Sequence, residues 1–187
     1  MKNENEILQA LIQGDENAFR LLYELYSSRV YNTALSYTKI PEDAEEITQD
    51  VFVKIHKNAS KFQKKSSLST WIYRITVNTS INFVNRKNRF KIFKSQSSTS
   101  TPIEFNHPGV LLENKEGAAL LFKVIEGLPT NQKTAFILSF IEDLPRQEVA
   151  QIMNTSLKSV ESLLQRAKKN MRIELEKNHP KRRKNKK

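Results

Sequence analysis

The sequence predicts an all-α protein: two small helical domains joined by a flexible linker, the C-terminal one a helix-turn-helix. Three observations carry this. Apolar residues recur at helical spacing along most of the chain, and nowhere with the sustained period of two that marks a strand. The segment Ser95–Gly109, SQSSTSTPIEFNHPG, is too rich in Ser, Thr and Pro to bury a core. Near the C-terminus a short helix, a three-residue turn and a longer helix follow one another, which is the order of a helix-turn-helix. A chain of 187 residues suffices for one ordinary domain or two small ones. The expected division is a first domain over 1–93, a linker over 94–113, a second domain over 114–177 and a basic tail over 178–187.

The first helix is expected over Glu6–Gln13, with Ile7, Leu8, Leu11 and Ile12 on one face and Gly14-Asp15 as its stop. A second begins near Asp15–Asn17 and carries Phe19, Leu22, Tyr23 and Tyr26 as a buried stripe. Val30, Ala34, Leu35 and Tyr37 are expected on a third. Pro41 suits the first turn of the next, with Glu42, Asp43, Glu45 and Glu46 near the positive end of its dipole. That helix turns Ile47, Val51, Phe52 and Ile55 inward. After a loop at Lys61–Ser67, Ser69 or Thr70 caps a helix whose apolar face is Trp71, Ile72, Ile75, Ile81 and Val84. Beyond the linker, Leu120, Leu121, Val124, Ile125 and Leu128 mark a helix that ends near Pro129. Asn131–Glu142 and Pro145–Met153 follow. Asn154-Thr155-Ser156 is the turn, and Leu157–Lys177 is the long helix, with Val160, Leu163, Leu164, Ala167, Met171 and Leu175 inward.

Composition excludes much. There is no cysteine, hence no disulfide, thiolate zinc site or cysteine nucleophile, and a reducing cytoplasm fits. No stretch approaches the roughly 18–20 apolar residues of a membrane span, and the start MKNENEILQ lacks a signal peptide's apolar run. His56, His107 and His179 lie far apart, and four glycines leave no glycine-rich phosphate loop. No metal, cofactor or small-molecule substrate is expected, and no enzyme activity.

The net charge of +11 lies in blocks. Residues 1–60 carry −4, 61–94 carry +9 with no acid, 95–127 carry −2, 128–176 carry +1 and 177–187 carry +7. Two concentrated basic blocks, one internal, point to a polyanion. Within the internal block Lys61, Lys64 and Lys65 precede the Trp71 helix, and Arg86, Lys87, Arg89, Lys91 and Lys94 end it. Between them Asn78 and Asn82 share a face at i and i+4, amides suited to unpaired bases. Trp71 is expected in the core. In the second domain Lys158, Ser159, Glu161, Ser162 and Gln165 open the long helix with side chains suited to base edges. Arg166, Lys168 and Lys169 follow, suited to phosphates. The acidic run Asp43, Glu45, Glu46 and Asp50, with Gln49, would repel DNA and fits a basic protein surface.

Three stretches in order, DAEEITQDVFVKIHKNASKF, SSLSTWIYRITVNTSINFVNR and LPTNQKTAFILSFIEDLPRQEVAQIMNTSLKSVESLLQRAKKNMR, resemble the two domains of a bacterial RNA polymerase sigma factor. The short chain resembles the extracytoplasmic-function group of the sigma-70 family. The resemblance covers residues 10–89 and 118–172. It implies a protein that binds core RNA polymerase, through its β′ clamp and β subunits, and directs it to promoter DNA. It implies that Glu46, Gln49, Asp50 and Phe52 contact the clamp. It places the −10 element against Lys61, Lys64, Lys65, Asn78, Asn82, Arg86, Lys87 and Arg89, with Asn78 near a flipped base. It places the −35 duplex against Lys158, Ser159, Glu161, Ser162, Gln165, Arg166 and Lys169. It further implies an anti-sigma factor that covers both faces.

The chain departs from the family pattern at Glu161 and Leu163, where many relatives are basic. Glu161 cannot hold a phosphate, so it either reads a cytosine or faces away. The lysine-rich tail is also outside the pattern. The rival reading is a stand-alone helix-turn-helix regulator that binds a duplex operator as a dimer. The sequence shows no heptad run or apolar arm to make that dimer, and the rival leaves the Asn78 segment and the acidic face without a role.

Overall fold

The computed structural model describes residues 4–62, 66–93 and 115–178. The described residues form helices and short turns, with no strand among them. The helices are α1 (Glu4–Ile12), α2 (Glu16–Thr38), α3 (Pro41–Asn58), α4 (Leu68–Phe93), α5 (Lys115–Glu126), α6 (Thr130–Phe136), α7 (Arg146–Ile152) and α8 (Leu157–Asn178). The chain divides into two compact units, the first holding α1–α4 and the second α5–α8. The expected linker 94–113, the tail beyond Asn178, Lys64 and Lys65 lie outside the described residues.

In the first unit α2, α3 and α4 pack on one another and α1 lies on α2. Gly14 separates α1 from α2 at φ +83°, a left-handed conformation that glycine adopts without a side-chain clash. The Asp15 carboxylate then accepts the Asn17 N–H at 2.8 Å and caps α2. One helix runs where two were expected. Ser27, Ser28 and Arg29 include no glycine or proline to break it, and the buried set Ala18, Leu22, Tyr26, Val30 and Ala34 continues at i+4 throughout. Tyr23 lies off that line and is 45 % exposed, not buried as its stripe suggested. Lys39, at φ 60°, ends α2 by donating its N–H to Leu35 O at 2.9 Å.

Helix α3 starts on Pro41 and buries Ala44, Ile47, Val51, Phe52 and Ile55. Helix α4 departs from expectation at its cap and its face. Ser67, not Ser69 or Thr70, caps it, its hydroxyl accepting the Thr70 N–H at 3.0 Å. Of the expected apolar face only Ile72 is buried, while Trp71, Ile75, Ile81 and Val84 are half-buried. The buried line is Ile72, Tyr73, Thr76, Val77, Ser80 and Phe83. Thr76 and Ser80 read as polar, yet each donates its hydroxyl to the carbonyl four residues back, Ile72 O at 2.9 Å and Thr76 O at 2.8 Å. A small, satisfied side chain lets helices approach closely, so these positions serve as core.

In the second unit the core is Phe122, Val124, Ile125, Leu128, Ala135, Ile137, Leu138, Val149, Ala150, Ile152, Val160, Leu164, Ala167 and Met171. The expected helix over Asn131–Glu142 is α6 followed by one wider π turn over Ile137–Ile141. The turn closes with the Glu142 N–H on Ile137 O at 3.0 Å and the Leu144 N–H on Leu138 O at 3.0 Å. Helix α7, the turn at Asn154–Ser156 and α8 form the helix-turn-helix. Asn154 takes φ 50°, and the Ser156 hydroxyl accepts the Ser159 N–H at 3.2 Å.

Candidate nucleic-acid and protein interfaces

The outer face of α3 exposes Glu42, Glu45, Glu46, Gln49 and Asp50. Phe52 is not on it. That residue is 3 % exposed, its ring 6.3 Å from Phe19 and 4.7 Å from Tyr23. Its expected surface contact is therefore corrected: it is core and supports the face from below. The exposed apolar residues of this region are Tyr23 and, on α3, Val53, which is 50 % exposed. Helical spacing puts Phe52 inward, as the structure does, and only the family resemblance sets it on the polymerase-facing surface.

Along α4 the residues Asn78, Asn82, Asn85 and Arg89 are exposed at i, i+4, i+7 and i+11, one stripe of amides ending in a cation. Asn85 was missed by the sequence reading, though it lies on the line that Asn78 and Asn82 define. Lys61 is exposed at the end of the 3₁₀ turn Ala59–Lys61. Trp71 packs on Phe62 with ring centroids 5.1 Å apart. Arg86 and Lys87 are differently placed. The Lys87 ammonium donates to both oxygens of Asp43, at 2.6 and 2.8 Å. The Arg86 guanidinium reaches Glu46 at 3.5 Å and lies over the Phe83 ring at 5.3 Å. The acidic face of α3 and the basic end of α4 thus meet at these two pairs, which a count of charge by sequence block does not reveal.

In the second unit Lys158, Glu161, Gln165, Arg166, Lys168 and Lys169 are exposed, and Ser159 and Ser162 are half-buried. Val160, Leu164 and Ala167 anchor the opposite side of α8. Glu161 lies 3.9 Å from the Arg146 guanidinium at the start of α7, both exposed. The Lys168 ammonium sits 4.8 Å from the centre of the Phe140 ring. On α6, burial pushes the Lys133 ammonium below its usual pKa, and the charge of Glu126 opposes that shift. Among the described residues no three His, Cys, Asp or Glu side chains gather as a metal site. No helix among them is long and apolar enough to cross a membrane.

Comparison with known proteins gives a consistent result. The family Sigma-70 region 2 matches residues 22–90, and Sigma-70, region 4 matches residues 118–171. The chain is 31 % identical to RNA polymerase sigma factor SigV of Bacillus subtilis, over 79 % of this chain and 84 % of that one. It is 28 % identical to the ECF RNA polymerase sigma-E factor of Escherichia coli, over 87 % and 88 %. Among solved structures, CnrH in complex with the cytosolic domain of CnrY has TM-score 0.68 at 18 % identity, covering 92 % of this chain and 97 % of that one. The sigma factor RpoE of Bartonella quintana, in complex with the anti-sigma factor NepR, has TM-score 0.62 at 20 % identity, covering 84 % and 96 %. These two share the fold. Two sigma regions matched in order, and a relative above 30 % identity across most of both chains, place this chain in the extracytoplasmic-function group of the sigma-70 family of RNA polymerase sigma factors.

Proposed function

We propose that the chain binds core RNA polymerase through the exposed α3 face, with Glu46, Gln49 and Asp50 meeting a basic surface of the β′ clamp. The polymerase performs the bond-forming chemistry, and this chain selects where it starts. Cytoplasmic placement follows from that partner. The stripe Asn78–Asn82–Asn85–Arg89 faces the −10 element, where amides bond the edges of an unstacked base. Capture of that base offsets an unstacking term of about a few kcal/mol. Helix α8 enters the major groove of the −35 duplex. Gln165 and the half-buried Ser159 and Ser162 face base edges, and Lys158, Arg166 and Lys169 face phosphates. Glu161, beside Arg146, steadies that arginine at the groove edge and does not read a cytosine. An anti-sigma factor that covers these faces fits the complex in which the RpoE neighbour was solved.

The observation that carries this reading is the separation of chemistries on each unit's surface: carboxylates on α3, exposed amides on α4 and mixed polar donors at the start of α8. The stand-alone regulator does not use the first two. The test is assembly. Gln49→Ala with Asp50→Ala should abolish co-migration with core polymerase. Gln165→Ala with Arg166→Ala should leave assembly intact and remove protection of the −35 region in a footprint. Loss of assembly in the second variant, or none in the first, would contradict the assignment.

A further inference from the structure

Lys54 stands apart from the rest of α3. The helix carries five acids, Glu42, Asp43, Glu45, Glu46 and Asp50, and Lys54 follows Asp50 by four residues. An acid four residues before a lysine is the favourable order for an ion pair along a helix. The pair does not form: among the described residues neither Asp50 nor Lys54 makes an ion pair. The Lys54 ammonium instead crosses to α4 and donates to the Thr79 hydroxyl at 3.0 Å.

Thr79 is 5 % exposed, directly follows Asn78, and lies three residues before Asn82, so it adjoins the amide stripe on the helix surface. A hydroxyl satisfies one of the three N–H donors of the ammonium and neutralises none of its charge. The rest of the Lys54 side chain is exposed. Its neighbours on α4 offer no carboxylate, since residues 61–94 contain no acid. The fold therefore holds an unneutralised cation on the flank of the stripe, fixed in place by a buried residue of the stripe's own helix.

We infer that Lys54 is a phosphate-binding residue of the −10 surface, contributed by the helix otherwise given to the polymerase. This rests on the reading of the α4 stripe as a DNA face. The ligand is a phosphodiester of the unpaired strand whose bases meet Asn78 and Asn82. A lysine suits it as a point charge with two donors left over. The consequence is that the two surfaces share a border at Lys54, where an ammonium tied to Thr79 extends the electrostatic path of the strand onto α3.

The experiment uses the full chain assembled with core polymerase and a promoter fragment that is duplex at −35 and single-stranded at −10. Affinity is measured from low to moderate salt for Lys54→Met, Lys54→Arg and, as a control for the stripe, Arg89→Ala. Lys54→Met should weaken binding several-fold and reduce the slope of log affinity against log salt by about one, the signature of one lost phosphate contact. Lys54→Arg should restore the slope, and assembly with polymerase should be unchanged in both. If Arg89→Ala lowers the slope and Lys54→Met does not, Lys54 is a tether between helices and the inference is overturned. If neither lowers it, the reading of α4 itself falls. A lowered thermal midpoint of Lys54→Met with an unchanged salt slope also overturns the inference.

Discussion

Lys87 was expected on DNA, and the structure gives it a carboxylate. The pair with Asp43 has two contacts at 2.6 and 2.8 Å, with Lys87 39 % exposed and Asp43 14 % exposed. At an effective dielectric near 20, charges this close attract by about 6 kcal/mol. Most of that is offset by desolvation of the carboxylate, so the net lies between an exposed pair, about 0–1 kcal/mol, and a buried one, about 3–5 kcal/mol on removing a partner. Lys87→Met should therefore destabilise the first unit by about 2 kcal/mol, because Asp43 stays behind, mostly buried. Asp43→Asn should cost less, since the lysine left behind can swing its head into water. The double variant should fall short of the sum by about 1–2 kcal/mol. Trp71 is the sole tryptophan and lies in the first unit, so its fluorescence in urea follows that unit alone. Additivity within about 0.3–0.5 kcal/mol would refute the coupling. Lys87 would then be free for DNA as the sequence suggested, and its removal would change the salt slope of promoter binding as Arg89→Ala does.

Three other outcomes follow from single sites. Gly14→Ala should destabilise the first unit by about 1 kcal/mol. Among the described residues nothing lies within 4 Å of the added Cβ, so the penalty comes from φ +83°, and a value near zero in the same urea titration would contradict it. Thr33 is fully buried and its hydroxyl has no hydrogen-bond partner among the described residues, so Thr33→Val should stabilise the unit by about 1 kcal/mol, and a loss would show that the hydroxyl is satisfied. For Lys133, burial lowers the folded pKa below 10.5. Below that folded value the ammonium's burial opposes folding in full. As pH rises from it toward 10.5, the unfolded chain holds protons the folded one has released, and the penalty fades. Lys133→Met should therefore stabilise the second unit at neutral pH, with the gain shrinking in the alkaline range. A gain that grows with pH, read by circular dichroism in urea, would reverse the assignment.

The helical class, the separation into two units and the helix-turn-helix were legible because long amphipathic stretches and a Ser/Thr/Pro interval leave little choice. What failed has identifiable causes. Helical period puts Phe52 inward, where it lies, and its surface contact rests only on the family resemblance, which carries a position and not its burial. Thr76 and Ser80 count as polar in any pattern, but a hydroxyl bonded back to its own helix packs as a small core residue. Tyr23 was placed inside by spacing from Phe19, while the line from Ala18 through Leu22 and Tyr26 is the buried one. The pairs Lys87–Asp43 and Arg86–Glu46 join residues 44 and 40 positions apart, and no local reading brings them together. Lys54 was overlooked for the same reason: its partner lies 25 residues away on another helix. At the start of α8 Lys158, Glu161 and Gln165 are exposed as the spacing predicts, while Ser159 and Ser162, beside the buried line of Val160 and Leu164, are half-buried.

Run-off transcription by purified core polymerase on a library of promoter fragments, with and without this protein, tests its role as a sigma factor most directly. Transcripts should arise from a defined subset of fragments only when the protein is present, and should be lost with Gln49→Ala plus Asp50→Ala. Absence of any protein-dependent transcript, together with a specific duplex shifted by a dimer of this chain alone, would contradict that role.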